Sequence, residues 1–125
     1  MNLNQITVPS TDLSKSIIFY ERLGLELIVD ATPNYIRFEC PEGDSTFSVH
    51  LVDELATAAA PIVYFETRTL DQEVKRLQNE GIEFDLLPVD QSWRWREARL
   101  KDPDGNQIVL FFGGDYRKNP PWRVK

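Results

Sequence analysis

The stretch Ile6-Thr7-Val8-Pro9-Ser10-Thr11-Asp12-Leu13-Ser14-Lys15-Ser16-Ile17-Ile18-Phe19-Tyr20-Glu21-Arg22-Leu23-Gly24-Leu25 decides the fold, because its pattern returns 57 residues later. That shift carries Ile6 onto Val63, Val8 onto Phe65, Leu13 onto Leu70 and Ile17 onto Val74. It also carries Tyr20 onto Leu77, Gly24 onto Gly81, Leu25 onto Ile82 and Leu27 onto Phe84. In both copies a short alternating segment precedes one with helical spacing, so each reads as a strand followed by a helix. Ser10-Thr11-Asp12 and Thr69 offer N-terminal caps, and Gly24 and Gly81 offer stops. The spacing predicts Leu13, Ile17 and Tyr20 on one buried helical face.

Working outward, residues 3–8 read as a strand and 13–23 as a helix, followed by strands at 25–29, 35–40 and 46–52. Pro33-Asn34 and Pro41-Glu42-Gly43-Asp44 mark the turns. The order then repeats, with a strand at 61–66, a helix at 70–80, and strands at 82–86, about 93–100, and 107–112. Asp102-Pro103-Asp104-Gly105 turns the last hairpin. Near the module ends a shift of 59 carries Val49 onto Ile108 and Leu51 onto Leu110, placing two extra residues before the third or fourth strand. The expectation is an α+β fold of two tandem βαβββ modules, 3–52 and 61–112, in one domain spanning 1–125, with a linker at 53–60 and a tail at 113–125.

With 125 residues and 42% hydrophobic composition the chain can bury one core, but it is short for two independent domains. The net charge of −6 offers no basic footprint for nucleic acid. Arg94, Arg96 and Arg99 interleave with Trp93 and Trp95; the other basic residues are scattered. The single cysteine, Cys40, cannot form an internal disulfide or a cysteine-rich zinc site. No basic leader followed by an apolar run and no membrane-length apolar stretch is present, so the expectation is a cytoplasmic protein with no membrane partner.

Two motifs carry a family resemblance. Asp12-Leu13-Ser14-Lys15-Ser16 followed by Phe19-Tyr20-Glu21-Arg22-Leu23-Gly24-Leu25 resembles the first helix of the glyoxalase/bleomycin-resistance/extradiol-dioxygenase (vicinal oxygen chelate) superfamily. Asp102-Pro103-Asp104-Gly105-Asn106-Gln107-Ile108-Val109-Leu110 resembles its closing hairpin. The resemblance covers roughly residues 3–112 and implies paired modules around a curved mixed sheet with helices on its outer face. It also implies a homodimer and, in metal-using members, a divalent ion held at four inward positions. Here these are Gln5, His50, Ile62 and Val109, and the repeat pairs Gln5 with Ile62 and His50 with Val109. Ile62 and Val109 carry no donor, and Gln5 with His50 supplies no negative charge. The expectation is therefore no metal and no cofactor.

Alternation places Gln5, Thr7, Ser48, His50, Tyr64 and Glu66 on the concave face; counting back from the last hairpin adds Trp93, Trp95, Glu97 and Arg99. Aromatic walls with sparse polar groups suit a small-molecule site. Each residue also has a structural reading: His50 and Gln5 as hydrogen-bonded side chains, Glu97 with Arg99 as an ion pair, the tryptophans as core or dimer contacts. The tail, with Pro120-Pro121 and the aromatics Tyr116 and Trp122, reads as a loose end or as an anchor across a cleft mouth or another subunit. The leading expectation is metal-independent binding of a small organic molecule, antibiotic or xenobiotic in kind. The alternatives are a divergent lyase or dioxygenase, an enzyme using His50 or Glu97 as base, or a protein whose cleft serves assembly alone.

Overall fold

The computed structural model describes residues 2–56 and 60–124. Strand β1 (Gln5–Ser10), helix α1 (Leu13–Arg22) and strands β2 (Glu26–Ala31), β3 (Tyr35–Glu39) and β4 (Thr46–Leu51) form the first module. Strand β5 (Val63–Glu66), helix α2 (Leu70–Asn79) and strands β6 (Leu86–Asp90), β7 (Arg96–Lys101) and β8 (Gln107–Phe112) form the second, followed by a 3-10 helix at Gly114–Arg117. Hydrogen-bonded pairing stays within each module, giving two four-stranded mixed sheets ordered β1-β4-β3-β2 and β5-β8-β7-β6. The α+β class and the tandem βαβββ order are thus as expected. The chain clusters into one compact unit of residues 1–60 with 102–106 and another of 61–101 with 107–125. The expected linker at 53–60 includes positions 57–59, which lie outside the described residues.

Both helices end the same way. Gly24 (φ 102°) gives its N–H to the Glu21 carbonyl, and Leu25 gives its N–H to the Tyr20 carbonyl. Gly81 (φ 89°) and Ile82 repeat this with the carbonyls of Gln78 and Leu77. Only a residue without a Cβ takes this left-handed position cheaply, so the repeated glycine marks a repeated stop. At the other end of α1, the Asp12 carboxylate accepts the N–H groups of Ser14 and Lys15. The buried face of α1 consists of Leu13, Ser16, Phe19 and Tyr20, while Ile17 is half-buried, so the predicted face is rotated. Ser16 fits inside because its hydroxyl bonds Ser10 Oγ at 3.0 Å.

Tyr20, Phe38 and Phe47 fill the first core. Tyr20 stands 4.5 Å from Phe47 and 5.8 Å from Phe38 between ring centroids. Val74, Leu77, Leu100 and Ile108 are among the largest fully buried side chains of the second core. The Asp102–Asn106 turn clusters with the first unit, where Tyr20 OH donates to Asp102 Oδ2 at 2.6 Å. Asp102 Oδ1 accepts the backbone N–H groups of Asp104 and Asn106, and Asn106 Nδ2 donates to both Asp102 Oδ2 and the Pro9 carbonyl. Burial, reinforced by the Asp102 charge, raises the Tyr20 phenol far above its ordinary range and keeps it a donor. The two family-like motifs therefore meet as a structural latch.

The strand registers correct the repeat. Val8 lies opposite Val49 and Phe65 opposite Leu110, so β4 maps onto β8 with a shift of 61, not 59. The extra residues fall in the connection between β6 and β7. Strand β6 occupies Leu86–Asp90 and not 82–86, and β7 begins at Arg96 and not near 93. Pro88, which has no N–H, sits in the irregularity between Leu86 and Val89. Residues 91–95 form a turn closed by Gln91 N–H on the Trp95 carbonyl, with Arg94 at φ 70°. Trp93 and Trp95 thus belong to a loop, not a strand.

Candidate functional site

Each module covers one sheet face with its helix and leaves the other face to the side chains of alternate residues. On the first sheet the rows across the uncovered face are Gln5–Thr46–Glu39, Thr7–Ser48–Arg37 and Pro9–His50–Tyr35. Gln5 Nε2 donates to Ser48 Oγ at 2.7 Å and to Thr7 Oγ1 at 3.3 Å, while Gln5 Oε1 accepts from the Thr46 hydroxyl. Ser48 Oγ lies 2.6 Å from Tyr35 OH, which accepts Arg37 Nε at 3.0 Å. These bonds to Ser48 and Arg37 favour the phenolate and lower the Tyr35 pKa, with partial burial opposing them. The polar residues thus form one continuous chain from Thr46 to Arg37.

Gln5, Thr7, Ser48 and His50 do share this face. Gln5 bonds Ser48, while His50 is exposed and sits two rows from Gln5, opposite Pro9 and Tyr35. With the corrected register Ser48, not His50, is the counterpart of Val109, because Thr7–Ser48 and Tyr64–Val109 are equivalent pairs. Tyr35 and Arg37 were not among the sequence candidates. Their alternation with buried Ile36 and Phe38 was the available signal.

On the second sheet the rows are Tyr64–Val109–Arg99 and Glu66–Phe111–Glu97. Glu97 is 1% exposed, and both carboxylate oxygens are held: Trp93 Nε1 donates to Oε2 at 2.8 Å and Arg99 to Oε1 at 3.2 Å. A buried carboxylate needs such partners. Trp95 stacks on Phe111 with centroids 4.6 Å apart, and Tyr64 meets both rings edge-on at 6.2 and 5.6 Å. Phe111, absent from the sequence candidates, is the centre of this cluster. Gly113 allows the stack to form, since a Cβ there would lie 2.9 Å from Trp95 Nε1.

Glu66 is committed elsewhere. Its Oε2 accepts the Gly113 and Gly114 N–H groups at 3.0 Å each, and Arg117 pairs with Oε1 at 3.7 Å. Arg94 lies over the Tyr116 ring at 5.2 Å. Residues 113–117 are therefore bound to the second unit, while Trp122 remains exposed. The loose-tail reading does not hold for this first part.

The donors do not fit the family's four-ligand metal site. Ile62 and Val109 offer no lone pair, the Gln5 amide oxygen is occupied by Thr46, and Ser48 is a neutral hydroxyl. Among the described residues no group of three or more His, Cys, Asp or Glu side chains is arranged to hold a metal ion. Nor is any helix among them long and apolar enough to cross a membrane.

Comparison with known proteins gives a consistent picture. A crystal structure of a glyoxalase/bleomycin resistance protein/dioxygenase from Nocardioides is similar, with 22% identity, a TM-score of 0.77, and coverage of 100% of this chain and 90% of that one. A bleomycin-binding protein complexed with bleomycin is similar at 21% identity and TM-score 0.74, covering 91% of this chain and 99% of that one. A lactoylglutathione lyase from Agrobacterium tumefaciens has 16% identity and TM-score 0.71, covering 90% and 93%. At these identities the likeness shows a shared fold. No curated protein matches. The family model matches residues 2–110, and the chain belongs to the glyoxalase/bleomycin resistance protein/dioxygenase superfamily.

Proposed function

We propose that this protein binds a small organic molecule without a metal, in the manner of an antibiotic- or xenobiotic-binding member of its superfamily. The observation that carries this is the Tyr64–Trp95–Phe111 cluster beside Trp93, whose indole is fixed by buried Glu97. Fixed ring faces give a flat ligand large contact area at little entropy cost. Tyr64 and Trp93 are 45% and 38% exposed, so ring surface remains open to a ligand. The proposed contacts in the second module are Tyr64, Glu97 and Arg99 with Trp93 and Trp95 of the preceding turn; in the first module Gln5, Thr7, Ser48 and His50 are proposed as polar ligand contacts. Engagement of both Glu97 oxygens, one by Trp93 and one by Arg99, favours a binding role over proton transfer. The likeness to a bleomycin-binding protein supports the ligand class. The proposal includes a cytoplasmic homodimer, to be tested by sedimentation at tens of micromolar protein.

Tryptophan fluorescence titrated with a panel of aromatic and antibiotic compounds is the direct test. A saturable change that is lost in Trp93→Ala, with folding intact, supports the reading. No saturable change with any compound would overturn it. Elemental analysis tests metal independence: stoichiometric Zn, Ni, Mn or Fe that disappears in His50→Ala would refute it.

A further inference from the structure

Equivalent rows of the two sheets each place an arginine on the third strand of the module. Arg37 lies in the row Thr7–Ser48–Arg37 and Arg99 in the row Tyr64–Val109–Arg99. In both, the guanidinium reaches back to the residue two positions earlier on the same face. For Arg99 that residue is Glu97, a carboxylate, and the charges are matched. For Arg37 it is Tyr35, whose hydroxyl accepts Nε at 3.0 Å and whose ring lies 5.5 Å from the guanidinium carbon. A phenol fixes the arginine without neutralising it.

Hydrogen counting shows what this group lacks. Ser48 and Tyr35 carry one hydroxyl hydrogen each, and their mutual contact uses one. Gln5 Nε2 already donates to Ser48 Oγ, and Arg37 Nε already donates to Tyr35 OH. One hydroxyl hydrogen and the two terminal nitrogens of Arg37 therefore have no acceptor among the described residues. Arg37 is exposed and makes no ion pair with them, although Glu39 stands two residues along the same face. The group has donors to spare and one positive charge.

We infer that Arg37, Tyr35 and Ser48 form a recognition site for a carboxylate carried by a small organic ligand. A carboxylate supplies in trans what Glu97 supplies to Arg99, an acceptor oxygen and one negative charge, and its second oxygen can accept another of the spare donors. One guanidinium, with no lysine or second arginine in the three rows of this face, matches a monoanion and not a doubly charged phosphate. His50, in the adjacent row, flanks the site. Tyr35 positions the fork, and with fully buried Ser48 donating to it, the half-buried Tyr35 hydroxyl has the spare hydrogen to donate. This goes beyond the proposed function by naming the ligand's charge, and it rests on that reading only in treating the sheet faces as ligand-bearing.

Nitrogen-detected proton spectra of the intact protein test it, because the Arg37 Nε–H and the tryptophan indole N–H signals are read together. The probes are benzoate with larger aryl carboxylates, their neutral amides, benzylammonium and inorganic phosphate. The carboxylates are expected to shift the Arg37 signal saturably, and the amides, benzylammonium and phosphate are not. Arg37→Gln should weaken carboxylate binding about tenfold, the scale of a lost charge-assisted hydrogen bond. Tyr35→Glu, which copies the second module's internal carboxylate, should abolish it while the chain stays folded. Carboxylate binding unchanged in both variants, equal binding of the amides, or no Arg37 shift with any carboxylate would each overturn the inference. The indole signals report the aromatic face separately: indole shifts without dependence on Arg37 leave the proposed function standing and remove this site.

Discussion

Removing one oxygen from the core tests whether the family-like motifs are structural. In Tyr20→Phe the ring stays against Phe19, Phe38 and Phe47, and only the bond to Asp102 Oδ2 is lost. Tyr20 has no exposed surface and Asp102 is 5% exposed, so water cannot readily replace the phenol. Asp102 would keep two backbone N–H groups and the Asn106 amide. A hydrogen bond to a charged group contributes about 1.5–3 kcal/mol net, so a loss of about 2 kcal/mol is expected. At roughly 3–6 °C per kcal/mol for a domain of this size, Tm should fall by roughly 6–12 °C. Urea unfolding followed by circular dichroism should show a lower midpoint with an unchanged m-value. A cycle with Asp102→Asn should give a coupling above about 1 kcal/mol. Ligand-induced fluorescence changes should persist in the folded variant. A midpoint equal to wild type, with Asp102→Asn strongly destabilised, would refute the reasoning, since the carboxylate would then be held by its other donors alone.

Gly113→Ala places a methyl group 2.9 Å from Trp95 Nε1, while its backbone, at φ −113°, accepts any residue. Displacement of Trp95 from Phe111 should cost about 1–3 kcal/mol and alter the tryptophan emission of the unliganded protein; unchanged emission and stability would show that the stack yields freely. Asp12→Ala should lower Tm by removing the cap of α1. The Asp12 carboxyl titrates below its ordinary 3.8, chiefly because of the Ser14 side-chain bond. Its contribution is therefore complete above that value and lost as pH falls through the lower folded value. Asp12→Asn should keep the cap and flatten this part of the acid profile, and a wild-type-like acid limb in that variant would contradict the assignment.

Much of the fold was legible because it rests on local rules that occur twice. The glycine stops, the caps and the apolar spacing depend on nearby residues, and β8 was placed without error. The register was not legible. Val49 can be laid on Ile108 or on Leu110 with equal hydrophobic sense, since a slip of two residues keeps every side chain on its own face. Strand pairing settles it by setting Val8 opposite Val49 and Phe65 opposite Leu110. The same slip moved the presumed counterpart of Val109 from Ser48 to His50. Strand β6 was misplaced because Ile82 and Phe84 alternate as a strand would, yet pairing with β7 starts only at Leu86. Tyr35, Arg37 and Phe111 lie on strands whose alternation could be read. Tyr35 and Arg37 sit on a third strand, away from the inherited ligand positions on the first and last strands, and Phe111, although on a last strand, is an apolar side chain that reads as core.

The latch and the site also differ in what constrains them. Tyr20 and Asp102 serve packing, so their presence reports the fold and leaves the chemistry open. Function should reside where the two modules hold unlike residues at equivalent positions, because the fold tolerates either choice there. Ser48 corresponds to Val109, His50 to Phe111 and Tyr35 to Glu97, while the tryptophan-bearing turn at 91–95 lengthens the second copy alone. These differences share a direction. The first sheet has gained hydroxyls, an imidazole and an unneutralised guanidinium; the second has gained rings and an internal carboxylate that quenches its arginine. At the second module's positions equivalent to Gln5 and Ser48 stand Ile62 and Val109, which carry no donor. The unlike residues thus leave one sheet suited to hydrogen-bonding an anion and the other to holding a ring.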